Sequence, residues 1–310
     1  MLLPMVNKSA VISGPTGSIG VALVKLLIDK NYRILLILRP LSPRNSIFED
    51  IDNVDIVYSD VSKYSEISFP KTYNIFYHFA WDGGKDRDNL NLNIKSATDS
   101  MEAVRLAKRL KCKVFVGAGS QAECGIQKSP ISVDTVCTPN NYFGVAKLLS
   151  MHLTRNLCSK LKMRHCWLRI LSVYGSYDGE QTLVSSTILK LIKNEKLEFT
   201  SGLQDWDFLF NEDAAEIIEI IGADKHSCGV YVIGSGYSRK LKDFIEIITA
   251  KFGVASDKYL GLINTKTDSP VFLKADISRL KREYNWTPST DFETGVEKTI
   301  SYFKRTTDES

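Results

Sequence analysis

Apolar residues in this chain fall into short unbroken runs separated by stretches of helical period. Ala10-Val11-Ile12, Ile34-Leu35-Leu36-Ile37-Leu38, Asp55-Ile56-Val57-Tyr58, Ile75-Phe76-Tyr77-His78-Phe79 and Val114-Phe115-Val116 read as five strands. Runs without polar alternation belong to parallel sheets covered on both faces. Val21 to Ile28 reads as the helix after the first strand. A longer helix from Asn93 to Leu110 sets Ile94, Ala97, Met101, Val104 and Leu106 on or near one side. The alternation predicts an α/β fold, a doubly wound parallel sheet of the Rossmann type. Beyond Tyr174 the alternation loses its regularity, and a smaller C-terminal α/β substrate domain is expected there. The expected boundaries are 1–173 with 203–236 for the larger domain, and 174–202 with 237–310 for the smaller.

Composition narrows the functional classes. The 310 residues carry 40 Lys and Arg against 36 Asp and Glu, and the basic residues are scattered, so no nucleic-acid-binding stripe emerges. The six cysteines show neither a C-x-x-C pair nor zinc-ligand spacing, which favours reduced thiols. No apolar run reaches membrane length and the first residues are too few for a signal-peptide core. A cytoplasmic protein with no membrane partner is the expectation. His152, His165 and His226 have no partners at metal or triad spacing and read as structural, so no metal site is expected.

Gly14-Pro15-Thr16-Gly17-Ser18-Ile19-Gly20 follows the first strand and opens the first helix. Glycines so spaced permit a tight turn, close approach of backbone to a pyrophosphate, and packing of helix on strand, with the helix N-terminus facing the anion. At the end of the second strand, where an acid would bond the ribose 2′-hydroxyl of NAD, this chain has Arg39 and then Arg44, with no acid before Glu49. Arginine suits a 2′-phosphate through charge-assisted, bidentate bonds, so NADP(H) is favoured over NAD(H).

Taken together, Gly14-x-x-Gly17-x-x-Gly20, Asp60-Val61, His78-Phe79-Ala80, Asn93, Gly119-Ser120, Phe143-x-x-x-Lys147 and Arg169-x-x-x-Val173-Tyr174-Gly175 resemble the extended short-chain dehydrogenases, the nucleotide-sugar epimerase/dehydratase/reductase family. Val116 to Glu123, Asp205 to Phe210, Ala275 to Leu280 and Asn285-Trp286-x-Pro288 are similar to its nucleoside-diphosphate 4-keto-6-deoxyhexose reductase branch, the CDP-abequose and dTDP-fucose synthase type.

The resemblance implies Asp60 and Val61 at the adenine, Phe79, Ala80 and Trp81 in the cofactor-lining loop, and Lys147 at the nicotinamide ribose. It implies Ser120 as hydrogen-bond donor to the reacting sugar oxygen, with Gln121, Ala122 and Ser172 beside the sugar. In that family a tyrosine stands four residues before the lysine, on the same helical face, where the ammonium lowers the phenol's pKa. Phe143 occupies that position, and Tyr142 is one residue, or about 100°, further round. Trp206 stands where many relatives carry an arginine for the nucleotide phosphates, and Cys124 where the serine loop commonly has tyrosine. Phosphate recognition would then fall to Lys266, Arg279 or Arg87, with Trp81 and Trp206 walling the sugar. The expected function is NADPH-dependent reduction of a nucleoside-diphosphate 4-keto-6-deoxyhexose by a homodimer. An NAD-dependent nucleotide-sugar epimerase, which Arg39 argues against, and a catalytically silent NADP-binding sensor or scaffold, which Phe143 argues for, are the alternatives.

Overall fold

The computed structural model describes residues 8–49, 51, 54–82, 86–264 and 272–308. Among them the chain forms a seven-stranded sheet, and the contacts divide it into two compact units, 1–123 with 141–169 and 215–231, and 124–140 with 170–214 and 232–310. The second unit thus takes in 124–140, 170–173, 203–214 and 232–236, segments that the sequence reading gave to the cofactor domain.

In the first unit the five expected strands and two expected helices appear in order, β1 (Ser9–Ser13), α1 (Ser18–Asp29), β2 (Arg33–Leu38), β3 (Val54–Tyr58), β4 (Ile75–His78), α2 (Leu90–Arg109) and β5 (Val114–Ala118), followed by α3 (Tyr142–Lys160) and β6 (Arg164–Ile170). The sheet runs β10-β6-β5-β4-β1-β2-β3, where β10 is Gly229–Ile233. β1 pairs in parallel with β2 on one side and with β4 on the other, so the chain reverses its direction of travel at β1. That reversal opens a binding place at the carboxyl ends of β1 and β4. Strands β1, β2 and β4 are almost wholly buried, as their unbroken apolar runs require, whereas the edge strand β3 is half-buried. The Phe76 and Phe115 rings stack at 5.8 Å in the core beneath α2 and α3, which pack on each other.

Buried polar groups stitch these layers. The ring nitrogens of His78 lie 2.7 Å from Ser13 Oγ and 3.1 Å from Ser100 Oγ, joining β1, β4 and α2. Burial, with Lys147 adding to it, pulls this imidazole down to about 3, so it stays neutral. On α5 (Asn211–Ala223) the buried Glu219 accepts a 2.5 Å bond from the Tyr32 hydroxyl and another from Lys30 Nζ, tying the last helix of the unit to the α1–β2 turn.

The second unit contains β7 (Ser172–Tyr174), α4 (Leu183–Ile192), β8 (Asp205–Trp206), β9 (Phe208–Phe210), β11 (Arg239–Lys240), α6 (Leu241–Ala250), α7 (Ser278–Tyr284) and α8 (Phe292–Asp308). An aromatic cluster of Tyr174, Phe208, Phe210, Phe244 and Phe292 fills its core between β7–β9 and helices α4, α6 and α8. Buried Asp207 ties its own strand to two other segments, accepting from the backbone N–H groups of Ser235 and Gly236 and from that of Ala275.

Candidate active site

The glycine turn does what its spacing requires. Gly14 has φ +70°, and a Cβ there would stand 2.6 Å from the Ala80 backbone nitrogen after β4. At Gly20 a Cβ would meet Pro15 O at 2.6 Å, so the helix can seat on the turn only with hydrogen in that place. Gly17 N-caps α1 without a side-chain cap and no acid lies in the first turn, leaving the helix N-terminus suited to an anion.

Beside this turn lies a cavity of about 260 Å³. It brings together Gly14, Thr16 and Gly17 from the turn, Arg39 and Arg44 after β2, Asp60 and Val61 after β3, and Phe79, Ala80 and Trp81 after β4. Ser18, Ile19 and Gly20 form the first helical turn next to it. Residues scattered over nearly seventy positions thus converge on one hollow at the sheet's switch point. Arg39 forms an ion pair with Asp82, which also lines the cavity. Sequence reasoning missed this acid because it comes from the β4 loop, forty-three residues away.

A second group surrounds α3. Asn141 caps this helix, its side-chain oxygen accepting from Gly144 N at 2.8 Å, so the helix begins at Tyr142. In that register Phe143 is buried and Tyr142 is 48% exposed, which puts the ring of Phe143, and not the phenol, on the face shared with Lys147. Lys147 Nζ donates to Ala118 O at 2.9 Å and lies 3.8 Å from the Trp81 ring and 5.7 Å from that of Phe143. The Arg87 guanidinium sits 4.9 Å from the Phe143 ring centre, and Trp81 meets Phe143 edge-on at 6.1 Å. Burial, opposed by Glu123 and reinforced by Arg87, pulls the Lys147 ammonium down to about 7. Asn93 holds the assembly, accepting from Trp81 Nε1 at 3.2 Å and donating to the carbonyls of Asp86, Arg87 and Asn89.

Ser120 directly precedes a single 3-10 turn (Gln121–Cys124) after β5, with Gln121 half-buried and Ala122 buried beside it. Its Oγ accepts from Ala122 N at 3.2 Å, which leaves its own O–H as a donor. Its backbone N–H donates to Glu123 Oε1 at 2.8 Å. Glu123 is fully buried, and the same carboxylate accepts from Trp167 Nε1 at 2.9 Å and pairs with buried Arg169 at 3.5 Å. Burial pushes the Glu123 carboxyl up, against the pull of its donors and of Arg169. The carboxylate therefore fixes the serine loop, and sequence reasoning passed over it. Its signal was Ser120-x-x-Glu123, the reciprocal spacing of a capping box.

Two other residues expected at the sugar, Ser172 and Trp206, lie in the second unit and bond each other, Trp206 Nε1 donating to Ser172 Oγ at 2.8 Å. Arg279 engages Glu283 on α7. Lys266 lies outside the described residues. No group of three or more potential metal ligands occurs among the described residues.

The model of the NAD-dependent epimerase/dehydratase family matches residues 10–234, a span that includes the glycine turn, the serine loop and Lys147. The chain belongs to this family. It is 24% identical over 307 residues to CDP-abequose synthase of Salmonella muenchen, covering 96% of this chain and 98% of that protein. It is 25% identical over 253 residues to dTDP-6-deoxy-L-talose 4-dehydrogenase (NAD(+)) of Aggregatibacter actinomycetemcomitans, covering 78% and 89%. In fold it matches UDP-N-acetylglucosamine 4-epimerase of Methanobrevibacter ruminantium M1, solved with UDP-N-acetylmuramic acid, at a TM-score of 0.86 and 20% identity over 97% of this chain and all of that one. The likeness confirms the doubly wound fold, and family membership makes the chain a short-chain dehydrogenase of oxidoreductase type.

Proposed function

We propose that this protein binds NADP(H) and reduces the 4-keto group of a nucleoside-diphosphate 4-keto-6-deoxyhexose, with Phe143 holding its own turnover low. The observation that carries the reading is the cavity beside Gly14 and Gly17, which Arg39 and Arg44 line together with the glycine turn that opens α1, Arg39 being paired there with Asp82. These residues fit a dinucleotide with an additional phosphate: helix N–H groups for the pyrophosphate and two guanidinium groups for the 2′-phosphate. The names of the two relatives above support the sugar class, and the resemblance of the serine loop supports the reductase direction.

When bound, a nicotinamide supplies hydride to a carbonyl carbon. The chain's own groups then act on the oxygen. Ser120 donates its hydroxyl proton as a hydrogen bond to the developing alkoxide, held in place by the Glu123 carboxylate beneath its N–H. The Lys147 ammonium stabilises the same negative charge from a buried position. Phe143, buried beside Lys147, offers no proton, so the alkoxide takes its proton through Ser120, which recovers one from water. Trp81 joins the two halves, since it lines the cofactor cavity and lies against Lys147.

The test is NADPH consumption with dTDP- and CDP-linked 4-keto-6-deoxyglucose, measured on the parent and on Phe143→Tyr, beside calorimetry with NADPH and NADH. Turnover of one of these sugars by the variant supports the reading. NADPH binding with no turnover by either protein favours the second reading, a silent NADP-binding sensor or scaffold, for which the buried, hydroxyl-free Phe143 is the motive. A homodimer through α2 and α3 forms part of the proposal. Leu148 and Leu149 are half-exposed and available for it. Met151, on the same helix, is buried and not available for it.

A further inference from the structure

Two thiols lie together where the proposed chemistry makes no use of them. Cys124 Sγ and Cys137 Sγ are 3.8 Å apart, at the neck of a loop running between them in the second unit. The neck is held shut by other bonds. Thr138 Oγ1 and Gln127 Nε2 both donate to Cys124 O, at 3.3 Å and 2.6 Å. Gly125 adopts φ +65°, and a Cβ there would stand 2.0 Å from Thr138 O, so the two sides of the neck touch backbone to backbone. The far end of the loop is anchored too, since Ile131 bridges to Ala275 and its N–H donates to Lys274 O at 2.8 Å.

We propose that Cys124 and Cys137 are a reversible redox modification site, forming a disulfide across this neck by exchange with low-molecular-weight disulfides. Shortening the separation to the roughly 2.05 Å of an S–S bond requires movement of side chains on a neck already closed. Access sets the order of events. Cys137 is half-buried beside the 76% exposed Val136, whereas Cys124 is fully buried. The Cys137 thiol gives its proton to water, and its thiolate attacks one sulfur of the small disulfide, expelling one thiolate and leaving a mixed disulfide. The Cys124 thiolate, its proton likewise lost, attacks the Cys137 sulfur and expels the second. The protein loses two protons and two electrons, and one small disulfide becomes two thiols.

The remaining cysteines provide contrast. Cys112, Cys158 and Cys166 are buried, and burial pushes the Cys112 and Cys158 thiols up, which keeps those two protonated and unreactive. Cys228 is exposed and reports solvent reactivity alone. The bridge would place a covalent tie one residue from Glu123, the carboxylate that holds Ser120.

The experiment treats the full chain with oxidised glutathione, then alkylates remaining thiols and maps peptides by mass spectrometry. The parent should yield a Cys124–Cys137 linked peptide that dithiothreitol abolishes. Cys124→Ser should trap glutathione on Cys137, and Cys137→Ser should leave Cys124 unmodified. The proposal is overturned if the parent keeps glutathione on Cys137, or keeps both thiols alkylatable, under conditions that fully glutathionylate Cys228. The readout is mass alone, so it stands or falls separately from the reductase reading.

Discussion

Phe143 keeps the outline of a tyrosine ring without its oxygen, and that single absence governs the expected chemistry. A positioned acid contributes about 10²- to 10⁴-fold to such a step, or roughly 3 to 5 kcal/mol. Phe143→Tyr should therefore raise kcat on the correct sugar at least about a hundredfold, while NADPH affinity measured by calorimetry barely changes. Arg39→Ala should cost NADPH about tenfold in affinity and leave NADH binding nearly as it was. Because Asp82 already occupies that guanidinium, Asp82→Asn should move NADPH affinity the other way. Burial pulls the Lys147 ammonium down to about 7 in the native chain, whereas in an unfolded chain it stays protonated to about pH 10. Between those values the unfolded state binds more protons, so this group adds stability as pH rises and penalises the fold below pH 7. Urea unfolding across that window should show a rise in the parent that Lys147→Met lacks. Glu123→Ala leaves Arg169 and the Trp167 N–H buried without their carboxylate, and should cost about 3 kcal/mol or more.

At the scale of elements, the strands and the glycine turn were legible because each depends on neighbours in sequence. Unbroken apolar runs marked β1, β2, β4 and β5, and Gly14-x-x-Gly17-x-x-Gly20 marked the turn. Gly14→Ala should test that turn: positive φ and the approach of Ala80 together predict a loss of about 2 kcal/mol or more in unfolding free energy and loss of cofactor binding. The start of α3 is set by the Asn141 side-chain cap, and caps are the least legible part of a helix. The contacts that build the site were invisible for a different reason. Asp82 reaches Arg39, and Arg169 reaches Glu123, across separations of forty or more residues, and no local pattern encodes which loops will meet. Segment 124–140 likewise looks like a continuation of the cofactor domain in sequence, but its bridge to Ala275 draws it into the second unit.

For the molecule as a whole, cofactor and assembly act on stability by mass action. At a hundred times its dissociation constant, NADPH should add about 2.7 kcal/mol to unfolding, raising Tm more than the same concentration of NADH. Light scattering at micromolar concentration should give twice the 34.8 kDa chain mass, and Leu149→Glu should return it to the monomer value.

The bond from Tyr32 to Glu219 spans 187 residues, and this has a consequence for how the protein is made. The β1–α1–β2 segment leaves the ribosome early, with a tyrosine hydroxyl whose buried acceptor has not yet been translated. At 5–20 residues per second, the wait is on the order of ten to forty seconds. A nascent chain stalled before α5 has neither that helix nor β10 for its sheet, and it should remain open to protease where the released protein is resistant.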